Sequence, residues 1–255
     1  MEVLVKMNGN LSGVHSNDQK LTQIIASSVI TTIDDVIIVL RTIDDALLSN
    51  DGLKWFNLLY LKVTEGVRNN PPTESWEDPQ WLERLDVEFA KLYFTAIASW
   101  QRNPDEVTRS WLPLLSSRWN QGITRVQFAL AGINAHINHD LPIAVVQTSE
   151  EQEIVPRGRS PQHRDFERVN TILEAVVDQA KQFLATGIVG EIDQDLGRID
   201  DLIAVWSVRK ARETAWTNAE ILWELRSIPL LSDGFLLSLD RLVRISSQGL
   251  LSPIA

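Results

Sequence analysis

The stretch from Leu130 to Val146, Leu-Ala-Gly-Ile-Asn-Ala-His-Ile-Asn-His-Asp-Leu-Pro-Ile-Ala-Val-Val, decides the reading of this chain. At about 100° per residue on a helix, His136, His139 and Asp140 fall on one face, with Ala129 and Gly132 one turn earlier. Gly132 costs roughly 1 kcal/mol relative to Ala in a helix interior, so the position predicts close approach of a neighbour. Pro142 removes a backbone donor and restricts the residue before it, which predicts that the helix ends or kinks just after Asp140. Polar side chains gathered at a kink in an apolar helix mark a candidate site. No motif with a known reaction attaches to them.

The same periodicity extends outward in both directions. Residues 1–17 read as a loose arm. Thr32 caps a helix whose inner stripe is Val36, Leu40, Ile43 and Leu47, stopped by Asn50-Asp51-Gly52. Leu53 to Arg68 puts Phe56, Leu59, Tyr60, Val63 and Val67 on one face, and Asn69-Asn70-Pro71-Pro72 breaks it. Asp78-Pro79 starts a helix to about Trp100, in which Asp86 interrupts the stripe Leu82, Phe89, Tyr93 and Ile97. A shorter helix containing Trp111 is interrupted by Pro113. Ser149 to Gln162 reads as an exposed loop. Asp165 caps a helix with Phe166, Val169, Asn170 and Leu173 inward, a long helix runs from about Ile199 to Ser227, and Ser232 or Asp233 caps a last one. No strand and no 20–50-residue repeat appears. The expected fold is all-α, a single-domain helical bundle over 18–255 of about eight helices with a polar central pocket and a loop at 149–163.

Composition narrows the function classes. The 255 residues carry a net charge of −10, which argues against a non-specific grip on nucleic acid or on an anionic membrane. Having no cysteines removes disulfides, thiolate metal sites and cysteine nucleophiles together. The start lacks a signal peptide's apolar core and no apolar run reaches the ~18 residues of a spanning helix, so a cytoplasmic protein is expected.

Four places break the apolar face of their own helix: Asp86, Asn170, Arg212, and His136 with Asp140. A buried ion without a partner costs several kcal/mol, so these groups should meet inside the fold, with Arg212 paired to Asp86 or Asp140. That leaves one surplus acid, which is solvated by a cleft, paired with a histidine, neutral, or bound to a divalent metal. His136, Asp140 and Asp86 are the candidate ligands of such a metal. Tyr60, Tyr93, Asn134, Asn170, Trp206 and Trp216 are candidate ligand-binding residues. His136 and Asp140 are read as present for function more than for stability, so His136→Ala and Asp140→Asn should melt near the wild type. A zinc-protease His-Glu-x-x-His, a phosphate-binding glycine loop and a Gly-x-Ser-x-Gly elbow are all missing, and the pairs Asp34-Asp35, Asp44-Asp45 and Asp200-Asp201 lack the further carboxylate of terpene synthases.

The runs from Trp55 to Thr64, Leu85 to Ala90, Gln127 to Pro142, Asp165 to Asn170 and Trp206 to Trp216 resemble the bacterial family called domain of unknown function 5995. The resemblance spans about Asp34 to Leu251 and implies that Asp86, His136, Asp140, Asn170 and Arg212 belong to the family pattern, while the place of His139 varies. It brings no reaction and no cofactor. The expected function is an enzyme of hydrolase or lyase/cyclase type on a small, largely apolar molecule, with His136 as general acid or base, Asp140 or Asp86 as its orienter or as metal ligand, and Arg212 as anchor for a carboxylate or for the anion in the site. The contrasting reading is a binding or structural protein whose polar network only holds the bundle together. The sequence leaves substrate and oligomeric state open.

Overall fold

The computed structural model describes residues 17–69, 75–186 and 207–252, with side chains described as far as residue 175 in the helix that ends at Thr186. Of the expected N-terminal arm only Asn17 falls within these residues, and Trp206 and the expected helix start near Ile199 lie outside them. Residues 17–27 are helical. Nine α-helices follow among the described residues: α1 (Ile33–Ala46), α2 (Leu53–Asn69), α3 (Pro79–Arg102), α4 (Leu112–Ser117), α5 (Arg125–Ala135), α6 (Leu141–Glu151), α7 (Pro161–Thr186), α8 (Val208–Leu225) and α9 (Pro229–Leu250). They pack as a single helical body, the all-α architecture the periodicity predicts. No helix among the described residues is long and apolar enough to cross a membrane.

Local chemistry sets most helix starts. Thr32 and Asp35 form a capping box on α1, and the bonds from Thr31 and Thr32 hold the Asp35 carboxyl down at about 2. Asp78 accepts from the Trp81 amide at 3.1 Å at the head of α3, and Thr124 with Gln127 boxes α5. Before α2, buried Asp51 accepts from the Leu53 amide at 3.0 Å and from Arg118 Nε at 2.9 Å, which ties α2 to the chain after α4.

The centre is a helix pair broken by one wide turn. Every residue of α5 from Val126 to Ala135 is buried, as expected for a helix surrounded on all sides. Between α5 and α6, His136–Asp140 form a π turn in which the Leu141 amide donates to the His136 carbonyl. Of the two outcomes that Pro142 predicted, an end or a kink, the chain takes the second: the helix is interrupted by the wide turn and runs on to Glu151. Pro142 cannot donate and its ring would meet the carbonyl four residues back; widening the turn accommodates both defects without ending the helix. Around this rod, α2 and α9 pack on α5, and α3 and α8 pack on α6.

Four boundaries differ from the sequence reading. The loop is only 152–160, because α6 keeps its helix through buried Thr148 and Ser149. Asp165 lies inside α7 and accepts from the backbone amides of Glu77 and Asp78, at 3.1 and 2.7 Å, so it supports the approach to α3 instead of capping its own helix. The last helix begins at Pro229, ahead of Ser232 and Asp233, since proline suits the first turn. Pro113 likewise lies in the first turn of α4 instead of interrupting it, with Trp111 just before the helix.

Candidate functional site

The π turn gathers the polar groups. Asp140 is buried and accepts three hydrogen bonds: from His136 Nδ1 at 3.0 Å, His139 Nδ1 at 2.8 Å and Trp111 Nε1 at 2.9 Å. Burial pushes the Asp140 carboxyl up, but the two histidine hydrogen bonds outweigh it and hold it below the usual carboxylate range. An ionised carboxylate only accepts, so both histidines carry a proton on Nδ1. His139 also faces Asp240, whose Oδ1 is 3.6 Å from its Nε2, and Asp240 is itself held by the backbone amides of Arg109 and Ser110. Burial pulls the His139 imidazole down, yet Asp140 and Asp240 together raise it above its ordinary value. His136 goes the other way: burial lowers it past what Asp140 restores, leaving a neutral ring with a lone pair on Nε2.

His136 sits in an aromatic box. Its ring stacks on Phe89 at 3.5 Å between centroids, and meets Tyr60 edge-on at 4.6 Å and Phe56 at 5.7 Å. Nε2 has no hydrogen-bond partner and almost no accessible surface. Gly132 explains how Phe56 comes so near. A Cβ there would stand 2.3 Å from Phe56 Cγ and 2.6 Å from Phe56 Cβ, the close approach that the sequence predicts.

Against His136 lies a cavity of about 80 Å³, several water molecules in size, walled mainly by apolar side chains of α2, α3, α5, α7 and α8. Its polar lining is Tyr60, Thr64, Asp86, His136 and Arg212. Thr64 is already bonded to the Tyr60 carbonyl at 2.9 Å. Asp86 is half-buried and makes no hydrogen bond to a described residue; burial pushes its carboxyl up to about 7 although Arg212 pulls it down. Arg212 is 6% exposed and burial lowers it to about 10 against the pull of Asp86. Asp140 does not border the cavity; it stands behind His136.

The expected ion pair of Arg212 with an aspartate does not form. Arg212 Nε donates to Asn170 Oδ1 at 2.7 Å and Nη2 to the Phe166 carbonyl at 2.9 Å, with the guanidinium 4.0 Å over the Phe166 ring. Neutral acceptors on the adjacent α7 reach the guanidinium first, and Asp86 acts only through its field. The remaining candidates divide. Tyr60 and Asp86 line the cavity with His136, and Asn170 reaches it only through Arg212. Tyr93 is buried and donates to Asn57 Oδ1 at 3.3 Å, outside the cavity wall. Asn134 faces α9, bonding the Val243 carbonyl at 3.0 Å and Ser247 Oγ at 2.9 Å. Trp216 packs on Phe166 and Trp81 in the core. Arg209, spaced for a pair with Glu213, instead bonds Glu174 of α7. Among the described residues no group of three or more His, Asp or Glu is placed to hold a metal ion, so His136, Asp140 and Asp86 are not brought together as a ligand set. Sequence reasoning passed over Trp111 and Asp240; Asp240 carried a signal, an acid among Leu236, Leu239 and Val243 on the inner stripe of its helix.

Fold and site together define an all-α protein with an aspartate-oriented histidine beside an apolar cavity. As its quoted strings imply, the chain belongs to the family of unknown function DUF5995, whose model matches residues 33–253. No curated protein and no solved structure matches it.

Proposed function

We propose that the protein is an acid–base enzyme acting on a small, largely apolar molecule, with His136 as the proton-transfer group and Asp140 as its orienter. The observation that carries this reading is His136 itself. Its Nδ1 is fixed by a carboxylate while Nε2 has no protein partner, and the ring borders a cavity that also holds the unpartnered Asp86. An imidazole held in one tautomer with a bare lone pair is a general base, and an acid near 7 is poised to return a proton at neutral pH. The lyase type fits better than a covalent hydrolase, because the described lining has no serine and the Thr64 hydroxyl is spent on its own helix. The partner is a small molecule and neither nucleic acid nor membrane, in keeping with the net charge of −10.

The closed setting of Nε2 favours a second reading, in which the network is structural and the cavity only binds. The two separate by experiment. Wild type and His136→Gln, checked for equal helicity, are incubated with a small-molecule extract and compared by untargeted mass spectrometry. The enzyme reading expects at least one small apolar compound depleted by the wild type alone. Identical profiles sink it and leave the structural reading.

A further inference from the structure

A guanidinium in a protein interior is ordinarily neutralised by an acid, because the cost of burying it alone is large. Arg212 is an exception. Its bonded partners are the Asn170 amide oxygen, the Phe166 carbonyl and the Phe166 ring, all neutral, and no described carboxylate forms an ion pair with it. Nη1 makes no hydrogen bond to a described residue, and it is not among the sealed, unpartnered atoms of the interior. Arg212 also lines the cavity. One N–H edge of a cation that lines the cavity thus has no described protein partner.

We propose that the ligand of this cavity is a small apolar monocarboxylate, its carboxylate received by Arg212 Nη1 beside the unpartnered Asp86, its body lying along Phe56, Tyr60 and Phe89. This rests on the preceding reading of the cavity as a ligand site and adds the chemical class. A carboxylate fits the site's charge and donors. The polar lining offers one cation and one acid able to donate, so a monoanion is matched and a phosphate dianion is left undercompensated. The rest of the wall is apolar, which favours a hydrocarbon or aryl body over a sugar or peptide.

The proposal has a pH signature. The charged or titratable groups around Asp86 are Arg212 from α8, Tyr60 from α2, Glu83 on its own helix and His136 from the π turn. Val169 and Leu173 of α7 add none. Asp86 gives up its proton at about 7, so above that a carboxylate ligand meets a second negative charge in the same cavity. A simple alkyl carboxylate, with a pKa of ~4–5, is ionised at both ends of the test range.

Calorimetric titration of the full-length wild type with hexanoate and with 1-hexanol, at about pH 6 and about pH 8.5, tests this directly. Hexanoate should bind at least tenfold more tightly than hexanol at the lower pH and weaken at least tenfold at the higher. Hexanol should bind alike at both. Asp86→Asn should abolish the pH dependence of hexanoate, which separates Asp86 from His139, and Arg212→Gln should cost hexanoate its advantage while leaving hexanol unchanged. Equal affinity for the two compounds at the lower pH, or hexanoate binding indifferent to pH, overturns the carboxylate assignment alone. Failure of both compounds to bind overturns the ligand-site reading and the inference with it.

Discussion

Replacing Asp140 with Asn removes the one charge on which the centre of the molecule converges. The carboxylate accepts from three donors in the interior, His136 Nδ1 at 3.0 Å, His139 Nδ1 at 2.8 Å and Trp111 Nε1 at 2.9 Å. An amide of the same shape keeps one acceptor and turns an NH₂ group towards at least one N–H. Hydrogen bonds to a charged group are worth ~1.5–3 kcal/mol each, and breaking a buried ion pair costs ~3–5 kcal/mol. His136 can switch tautomer and accept from the new amide, which recovers one bond of the three. The expected loss is about 3–5 kcal/mol, read as a lower urea midpoint at unchanged slope. This replaces the near-wild-type melting that the helix alone suggested for Asp140→Asn. The pH dependence follows from the signs. Asp140 sits below its ordinary value, so its contribution is full above the unfolded carboxyl pKa of ~4 and is lost as pH falls through the folded one. His139 sits above its ordinary value, so its contribution is full below ~6.5 and is lost as pH rises through the folded one. The gap between wild type and variant should be widest between about pH 4 and 6.5. A variant within ~1 kcal/mol of wild type at pH 5.5 would refute a charge-held centre.

Gly132→Ala places a methyl 2.3–2.6 Å from Phe56 Cβ, Cγ and Cδ2. Overpacking of ~1–3 kcal/mol against a helix-propensity gain of ~1 kcal/mol predicts a net loss, and a denaturant midpoint at or above wild type would contradict the α2–α5 contact described. Arg212→Lys keeps the charge but gives up the fork that spans Asn170 and Phe166; a loss of ~2–4 kcal/mol is expected, and an unchanged melting temperature would place Arg212 outside the interior. Asp86 titrates at about 7, so the charged form opposes folding, and the stability it contributes is full below ~4 and lost as pH rises through about 7. Asp86→Asn should thus be neutral near pH 4 and stabilising by ~1–3 kcal/mol at pH 8, allowing for its partial access to water; parallel stability curves would show an ordinary carboxyl.

The helices were legible because each long segment carries its own period and its own stops, and Thr32 and Asp78 announce their caps. Where sequence reasoning failed, the cause was a partner distant in the chain. Asp165 looks like a helix cap until the amides of Glu77 and Asp78 arrive to take its oxygens. Arg212 was correctly expected inside, but which acceptor reaches it first depends on how α7 lies against α8, and no periodicity encodes that. Trp111 stood in a short, proline-interrupted segment with no clear face, so its indole could not be aimed at Asp140 from sequence alone.

The π turn shows the same limit at closer range, and explains why the site is where it is. On a regular helix Asp140 stacks one turn above His136, while His139, though on the same broad face, sits about 100° from Asp140 and is directed away from it. Pro142 makes the regular helix untenable at this point, and the chain had two ways out: stop, or widen. Because α5 and α6 are enclosed by α2, α3, α8 and α9, stopping would have left the last carbonyls of α5 buried without donors. Widening keeps them bonded, with Leu141 reaching back to His136, and it re-aims the side chains within the turn. Asp140 then holds one imidazole on each oxygen, and the two are driven apart electrically. His139 gains a second acid in Asp240 and is raised; His136 has only aromatic rings beyond Asp140 and is lowered. Two histidines three residues apart thus end with opposite tendencies, His139 towards holding a second proton and His136 towards a bare lone pair, and His136 is the one that borders the cavity. A helix optimised only for packing has no use for that division.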